Sequence, residues 1–144
     1  MKILFDTNII LDVLLDREPF SDLAVKLVSK VEKTEIKGFL GATTITTIYY
    51  LASKVAGKKK ADREISKLLS IFQIAPVNKS VLDGAIKAKF KDFEDAVLHE
   101  AAKQVEAQGI VTRNAKDFKK ATLSIYSPEE LYNMLISITR QLEI

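Results

Sequence analysis

The chain has 144 residues, enough for one domain that buries roughly 70% of its unfolded surface without covalent staples. It has no cysteine and a single histidine, which excludes disulfides, thiolate metal sites and a three-histidine zinc centre and leaves oxygen-bound hard cations as the metals it could hold. Lysine and arginine outnumber acids 22 to 19, a formal charge of +3 that matters only where the basic residues cluster.

In chain order, "KILF" at the N-terminus reads as a buried strand that ends on Asp6. Asp6, Asp12 and Asp16 interrupt the apolar stretch "ILFDTNIILDVLLD" before it could serve as a signal-peptide core or cross a bilayer, so the expectation is a cytoplasmic protein without a membrane segment. Asp12 falls on the side of Leu15 and reads as solvated. Pro19 separates this first helix from a second, whose Leu23, Leu27, Val28 and Val31 have helical spacing. Four further apolar segments, "KGFLGA", "IAPV", "GIVT" and "LSIY", alternate with helical stretches; Gly57 and Gly109 sit where helix C-termini are expected. "SPEE" at 127 to 130 combines a serine N-cap, proline at N1 and glutamate at N3, opening a last helix from about residue 128. This alternation predicts an α/β fold with a central, mainly parallel, five-stranded sheet, a single domain over 1–144 without repeats or linkers.

Ligands of open parallel sheets sit beyond the carboxyl ends of strands. Asp6 directly follows "KILF", and Arg113, Asn114 and Asp117 follow "GIVT". In "KDFEDAVLHE", Asp92, Asp95 and His99 share one helix face. Each acid also fits a purely structural role. Asp6 could cap the next helix, and Asp92 with Asp95, like Asn114 with Asp117, has N-cap to N3 spacing. Three carboxyl groups at one sheet edge would repel one another unless a cation or proton neutralised them, which favours a metal site over independent caps.

"DTNIILDVLL" at 6 to 15, "DFEDAVLHEAA" at 92 to 102 and "IVTRNAKDF" at 110 to 118 together resemble the PIN domain, the metal-dependent ribonuclease fold that includes VapC-like toxins. The resemblance covers nearly the whole chain and implies a three-layer α/β/α sandwich with acids that hold Mg²⁺ or Mn²⁺ to cut RNA. It places the first acid at Asp6, with Thr7 and Asn8 shaping the turn, and the helix acid at Asp95 rather than Asp92. It assigns the last charge to Asp117 and makes Asn114 a neutral oxygen ligand or turn residue. In one respect the chain departs from the pattern: where many PIN domains carry a glutamate on the helix after the second strand, "GATTITTIYYLASK" has Thr47. Asp12 and Glu94 are imperfect substitutes for that charge.

Such residues suit phosphodiester hydrolysis, in which the cation neutralises the phosphate and lowers the pKa of a bound water. His99 is either a proton relay or, more commonly for a lone histidine, polar surface. Three basic clusters could meet phosphates: Lys54, Lys58, Lys59, Lys60, Arg63 and Lys67; Lys87, Lys89 and Lys91; and Arg113, Lys116, Lys119 and Lys120. The third lies beside the acids and is assigned to RNA, whereas the first two read as solvated helix faces. Tyr49 and Tyr50 could stack on bases but read better as core or as the contact with a second copy in a homodimer.

The leading expectation is a metal-dependent endoribonuclease, the toxin of a toxin–antitoxin pair with an antitoxin protein as partner. A catalytically weakened RNA- or partner-binding PIN domain, for which Thr47 speaks, is the alternative. A haloacid-dehalogenase-like phosphatase ranks below both, because Asn8 stands where that fold needs a second aspartate; no P-loop or Gly-x-Gly-x-x-Gly occurs.

Overall fold

The computed structural model describes residues 1–143. Five strands, β1 (Lys2–Phe5), β2 (Lys37–Gly41), β3 (Gln73–Ala75), β4 (Gly109–Val111) and β5 (Ser124–Tyr126), form one sheet in the order β3-β2-β1-β4-β5. All four pairings are parallel. The described residues also form seven α-helices: α1 (Thr7–Leu14), α2 (Ser21–Glu32), α3 (Ala42–Ala56), α4 (Lys58–Ile71), α5 (Lys79–Ala88), α6 (Phe93–Gln104) and α7 (Pro128–Leu142). A 3₁₀ turn at Ala115–Phe118 lies between β4 and β5.

Successive strand side chains point to opposite faces, so β1 splits its apolar residues between two cores. Ile3 and Phe5 join Leu40 and Val111 beneath α1, α2, α3, α4 and α7, while Leu4 joins Phe39 and Ile110 beneath α5 and α6. The expected α/β/α sandwich results. Burial on both faces also explains why these strands read as apolar runs rather than alternating ones.

Several local expectations hold and some change. Leu27, Val28 and Val31 are buried on α2, and Ser127 with Glu130 makes the full capping box of α7. β3 stops short of "IAPV" because Pro76 has no N–H for the ladder. Gly57 ends α3 with φ +87°, as a glycine can. Gly109, in contrast, terminates no helix. Glu106 takes the positive φ after α6, and Gly109 opens β4, where a Cβ would stand 2.6 Å from the Tyr126 ring and 2.9 Å from the Ser124 carbonyl oxygen. Neither tyrosine of α3 joins the core: Tyr49 donates its hydroxyl to Asp62 at 2.9 Å, and Tyr50 is 57% exposed with the Lys54 ammonium over its ring.

The chain moves from β1 outward to β2 and β3, then crosses to the other side of β1 for β4 and β5. Strand order therefore reverses between β1 and β4, and the carboxyl ends of these two strands flank the crevice where open sheets bind ligands.

Candidate functional site

Asp6 stands at that crevice, one residue beyond β1. Its backbone N–H donates to the Val111 carbonyl at 3.0 Å, so it extends the β1–β4 ladder by one bond. The two sequence readings of Asp6, cap and site acid, coexist. It is the N-cap of α1, its Oδ1 accepting from the Thr7 N–H at 2.7 Å, while Oδ2 accepts from the Thr112 hydroxyl at 2.7 Å and from the Asn8 amide at 3.3 Å. The residue is only 6% exposed. Burial pushes its pKa up; the Thr112 and Thr7 bonds pull it down, and the charges of Glu94 and Asp117 raise it.

Asp95 occupies N3 of α6, behind the cap Asp92, whose Oδ1 accepts the Asp95 N–H at 3.2 Å. The structural role thus falls to Asp92, leaving the Asp95 carboxylate to face the crevice acids. Burial, followed by the charges of Asp6, Asp92, Asp117 and Glu94, pushes the Asp95 carboxyl up to about 7. Asp117 lies in the 3₁₀ turn, exposed, with its N–H on the Asn114 carbonyl. Asn114 makes no side-chain cap bond; its N–H donates to the Thr112 hydroxyl at 3.0 Å.

Carboxylates from β1's end, α6 and the β4–β5 connection therefore act on one another, and Glu94, a weak substitute by sequence, contributes to the field at both Asp6 and Asp95. Among the described residues no group of three or more His, Cys, Asp or Glu side chains is placed to hold a metal ion by itself. Mg²⁺ keeps several waters and takes only one or two carboxylates, so a site for it does not require such a group. A further feature fits such an ion: the side-chain oxygen of Asn8 is buried beside Asp6 without a hydrogen-bond donor, an acceptor open to a metal or its water. All these donors are hard oxygens, matched to Mg²⁺ or Mn²⁺.

Thr47 lies half-buried on α3, one turn beyond Thr44 on the same helix face. Thr44 itself is fully buried and its hydroxyl shares a 2.7 Å bond with that of Thr7, which joins α3 to the start of α1.

His99 is neither surface nor positioned as a relay. It is 2% exposed, its Nδ1 lies 2.9 Å from Glu100 Oε2, and Nε2 accepts the Thr122 N–H at 3.0 Å. Nε2 is thus unprotonated and Nδ1 carries the proton, so both ring nitrogens are occupied away from the acids. Burial lowers the pKa of the ring.

Asp12 is not solvated. Fully buried, it receives Arg113 through Nε at 2.6 Å and Nη2 at 3.1 Å, with Arg17 Nε at 3.1 Å. The sequence placed Arg113 among the RNA contacts, but its guanidinium grips Asp12 and lies 3.9 Å from the centre of the Phe20 ring. Lys120 donates to the Lys89 carbonyl at the C-terminus of α5 at 2.7 Å. Lys116 and Lys119 remain exposed. Together with Lys89, Phe90, Lys91, Lys120 and Asp117 they line an open groove of about 310 Å³, which merges the second and third basic clusters of the sequence beside one of the acids.

Thr112 and the Asp12–Arg113 pair went unassigned in the sequence. Thr112 was within reach, since it ends "GIVT" as Asp6 ends "KILF". The pairing of two residues 101 positions apart carries no local signal.

A family model described as "PIN domain" matches residues 2–116. Ribonuclease VapC1 of Aquifex aeolicus (strain VF5) is 28% identical over 134 residues, covering 90% of this chain and 92% of that protein. Among solved structures, FitAcB from Neisseria gonorrhoeae aligns with a TM-score of 0.69 at 22% identity, over 88% of this chain and 98% of that one. VapBC-1 from nontypeable Haemophilus influenzae aligns with a TM-score of 0.69 at 18% identity, over 90% and 99% of the two chains.

Proposed function

Because the chain belongs to the PIN-domain family, we propose that it is a metal-dependent endoribonuclease that hydrolyses RNA phosphodiester bonds and serves as the toxin of a toxin–antitoxin pair. The observation that carries the proposal is the convergence of Asp6, Asp95, Asp117 and Glu94 on the β1–β4 crevice, where burial first and then the neighbouring charges push the Asp95 carboxyl up to about 7. A cation relieves like charges gathered in this way without protonating them. Asp6 and Asp95 would hold Mg²⁺ or Mn²⁺, with Asp117 and Asn114 completing the site from the β4–β5 connection and Asn8 accepting from a bound water. The ion would supply charge neutralisation at the phosphate and an acidified water.

This chain's own residues would orient the parts. Thr112 and Thr7 fix the two Asp6 oxygens, and Lys116 and Lys119 draw the phosphates of a single strand along the groove towards Asp117. With the guanidinium of Arg113 engaged on Asp12, RNA contact rests on the lysines, with Lys120 contributing as it leaves the α5 carbonyl. The similarity to Ribonuclease VapC1 and to chains from VapBC and FitAcB structures supports an antitoxin partner. The exposed Tyr50 face of α3 would carry a homodimer contact.

The reading that competes is a weakened nuclease acting mainly by binding, favoured by the uncharged Thr47 on the face of α3 that reaches Thr7 through Thr44. A cleavage assay on a mixed RNA pool, with and without Mg²⁺ or Mn²⁺, separates the two. Metal-dependent cutting that Asp6→Asn and Asp95→Asn each abolish, with fold retained, is the expected result. RNA binding without cutting would select the second reading, and unchanged cutting by both variants would overturn the site.

A further inference from the structure

Buried ion pairs contribute little net stability, since apolar residues of similar volume often serve as well. A buried one therefore calls for another explanation, and the Asp12–Arg113 pair stands where position matters. Arg113 lies between Thr112, whose hydroxyl donates to Asp6 Oδ2 at 2.7 Å, and Asn114, whose N–H donates back to that hydroxyl at 3.0 Å. The grip on Arg113 is two-pronged, at 2.6 and 3.1 Å, and the planar guanidinium also lies over the Phe20 ring. A forked contact of this kind fixes direction as well as distance.

Asp12 belongs to α1, the helix that Asp6 caps. One rigid helix therefore holds the site acid at its start and, from its second turn, the strand-end loop that orients the acid. We propose that Asp12 is a positioning residue. Through Arg113 it fixes Thr112 against Asp6 and holds Asn114 and Asp117 at the crevice, acting on the cation and the reaction without touching either. Arg17 Nε also stands 3.1 Å from Asp12, a second cation beside the same carboxylate. The role in cleavage rests on the nuclease reading, whereas the role in loop geometry does not. Outer partners of this kind alter metal affinity or activity by about 10–100-fold when removed.

The test pairs Arg113→Lys, which keeps the charge but loses the fork, with the double variant Asp12→Leu/Arg113→Met, which replaces the pair by apolar volume. Thermal melting reports the fold, and amide hydrogen exchange in metal-free protein reports the loop. Mn²⁺ titration and RNA cleavage report the site. In both variants we expect a cooperative melt, faster exchange at the Asn114 amide with the Ile110 amide of β4 unchanged, about 10-fold weaker Mn²⁺ binding, and kcat lowered about 10–100-fold at constant KM. Should the double variant fail to fold, Arg113→Lys carries the same readouts. Unaltered Asn114 exchange, Mn²⁺ affinity and kcat in a folded variant would overturn the proposal. A rise in KM alone would also do so, placing Arg113 on RNA instead. If the unsubstituted protein cuts no RNA, the nuclease reading falls, while Asn114 exchange and Mn²⁺ affinity still decide the clamp.

Discussion

Asp95→Asn tests the like-charge cluster without any assumption about RNA. Burial and the neighbouring acids push the Asp95 carboxyl from its ordinary 3.8 up to about 7, so the folded protein holds this proton more tightly than the unfolded chain. A carboxyl raised in this way costs nothing below 3.8, where both states are protonated, and costs progressively more stability as pH rises towards about 7, above which the penalty is constant. At about 1.4 kcal/mol per pKa unit the ceiling is about 4 kcal/mol, and because Asp95 is only half-buried, solvent screening reduces this to about 1–2 kcal/mol. Asparagine has the same shape and no charge. Its own cost, the loss of a helix-dipole partner at N3 of α6, is about 0.3–0.5 kcal/mol.

Net of that cost, in chelator at pH 8, Asp95→Asn is therefore expected to melt about 2–6 °C above the unsubstituted protein, taking about 0.3 kcal/mol per kelvin for a chain of this length. At pH 4.5 most of that difference should vanish. Saturating Mn²⁺ should reverse the order at pH 8, because an ion at about 100 times its Kd adds about 2.7 kcal/mol to the protein that binds it. A melting difference that ignores pH would refute the argument, since it would mean that neither burial nor the other acids bear on the Asp95 proton. A variant less stable at both pH values would mean that the carboxylate serves the helix start instead.

Three other outcomes follow from named contacts. Replacing Lys116 and Lys119 by alanine removes about two phosphate contacts and should flatten the log–log salt dependence of single-strand RNA binding by about 1.4, with a smaller change for Lys58, Lys59 and Lys60; an unchanged slope would leave the groove lysines merely solvated. Thr47→Glu should tighten Mn²⁺ binding in a calorimetric titration and speed RNA cleavage if that position faces the ion; a loss of several kcal/mol with no metal effect would place it in the apolar layer. Gly109→Ala drives a Cβ to 2.6 Å from the Tyr126 ring and 2.9 Å from the Ser124 carbonyl oxygen. Denaturant unfolding should then show a loss of about 1–3 kcal/mol, with no loss meaning that β5 yields freely.

The strands were legible because each is a short apolar run, and two of them end on a residue with a physical reason to end them: Asp6 after β1 and Pro76 after β3. α7 was legible from its cap alone. Gly109 misled because its need for space comes from Tyr126 on a neighbouring strand rather than from backbone conformation. Asp12 misled for a related reason. A carboxylate on an amphipathic helix is ordinarily solvated, and the burial of Asp12 depends on Arg113, 101 positions away, together with Arg17. His99 likewise depends on Thr122, a partner that its own helix does not announce. In each case the missing information was a long-range contact. The crevice acids escaped this difficulty because the strand-end rule converts a local reading, apolar run then acid, into a location in space.

The same rule explains why capping and site roles meet in single residues here. A parallel strand that runs straight into a helix puts the helix N-terminus at the sheet's carboxyl edge, with its free N–H groups and positive dipole end facing the crevice. α1 does this directly after β1, and Asp6 satisfies it. α6 brings a second N-terminus, with Asp92 accepting the free N–H of Asp95 and Glu94 beside them in the first turn. Each cap lowers the cost of one acid, yet two capped helix starts and the Asp117 turn together gather like charges, which add to burial in raising the Asp95 carboxyl. Local capping energy thus assembles a cluster whose members repel one another. The imbalance left at the crevice is one that a divalent cation would relieve.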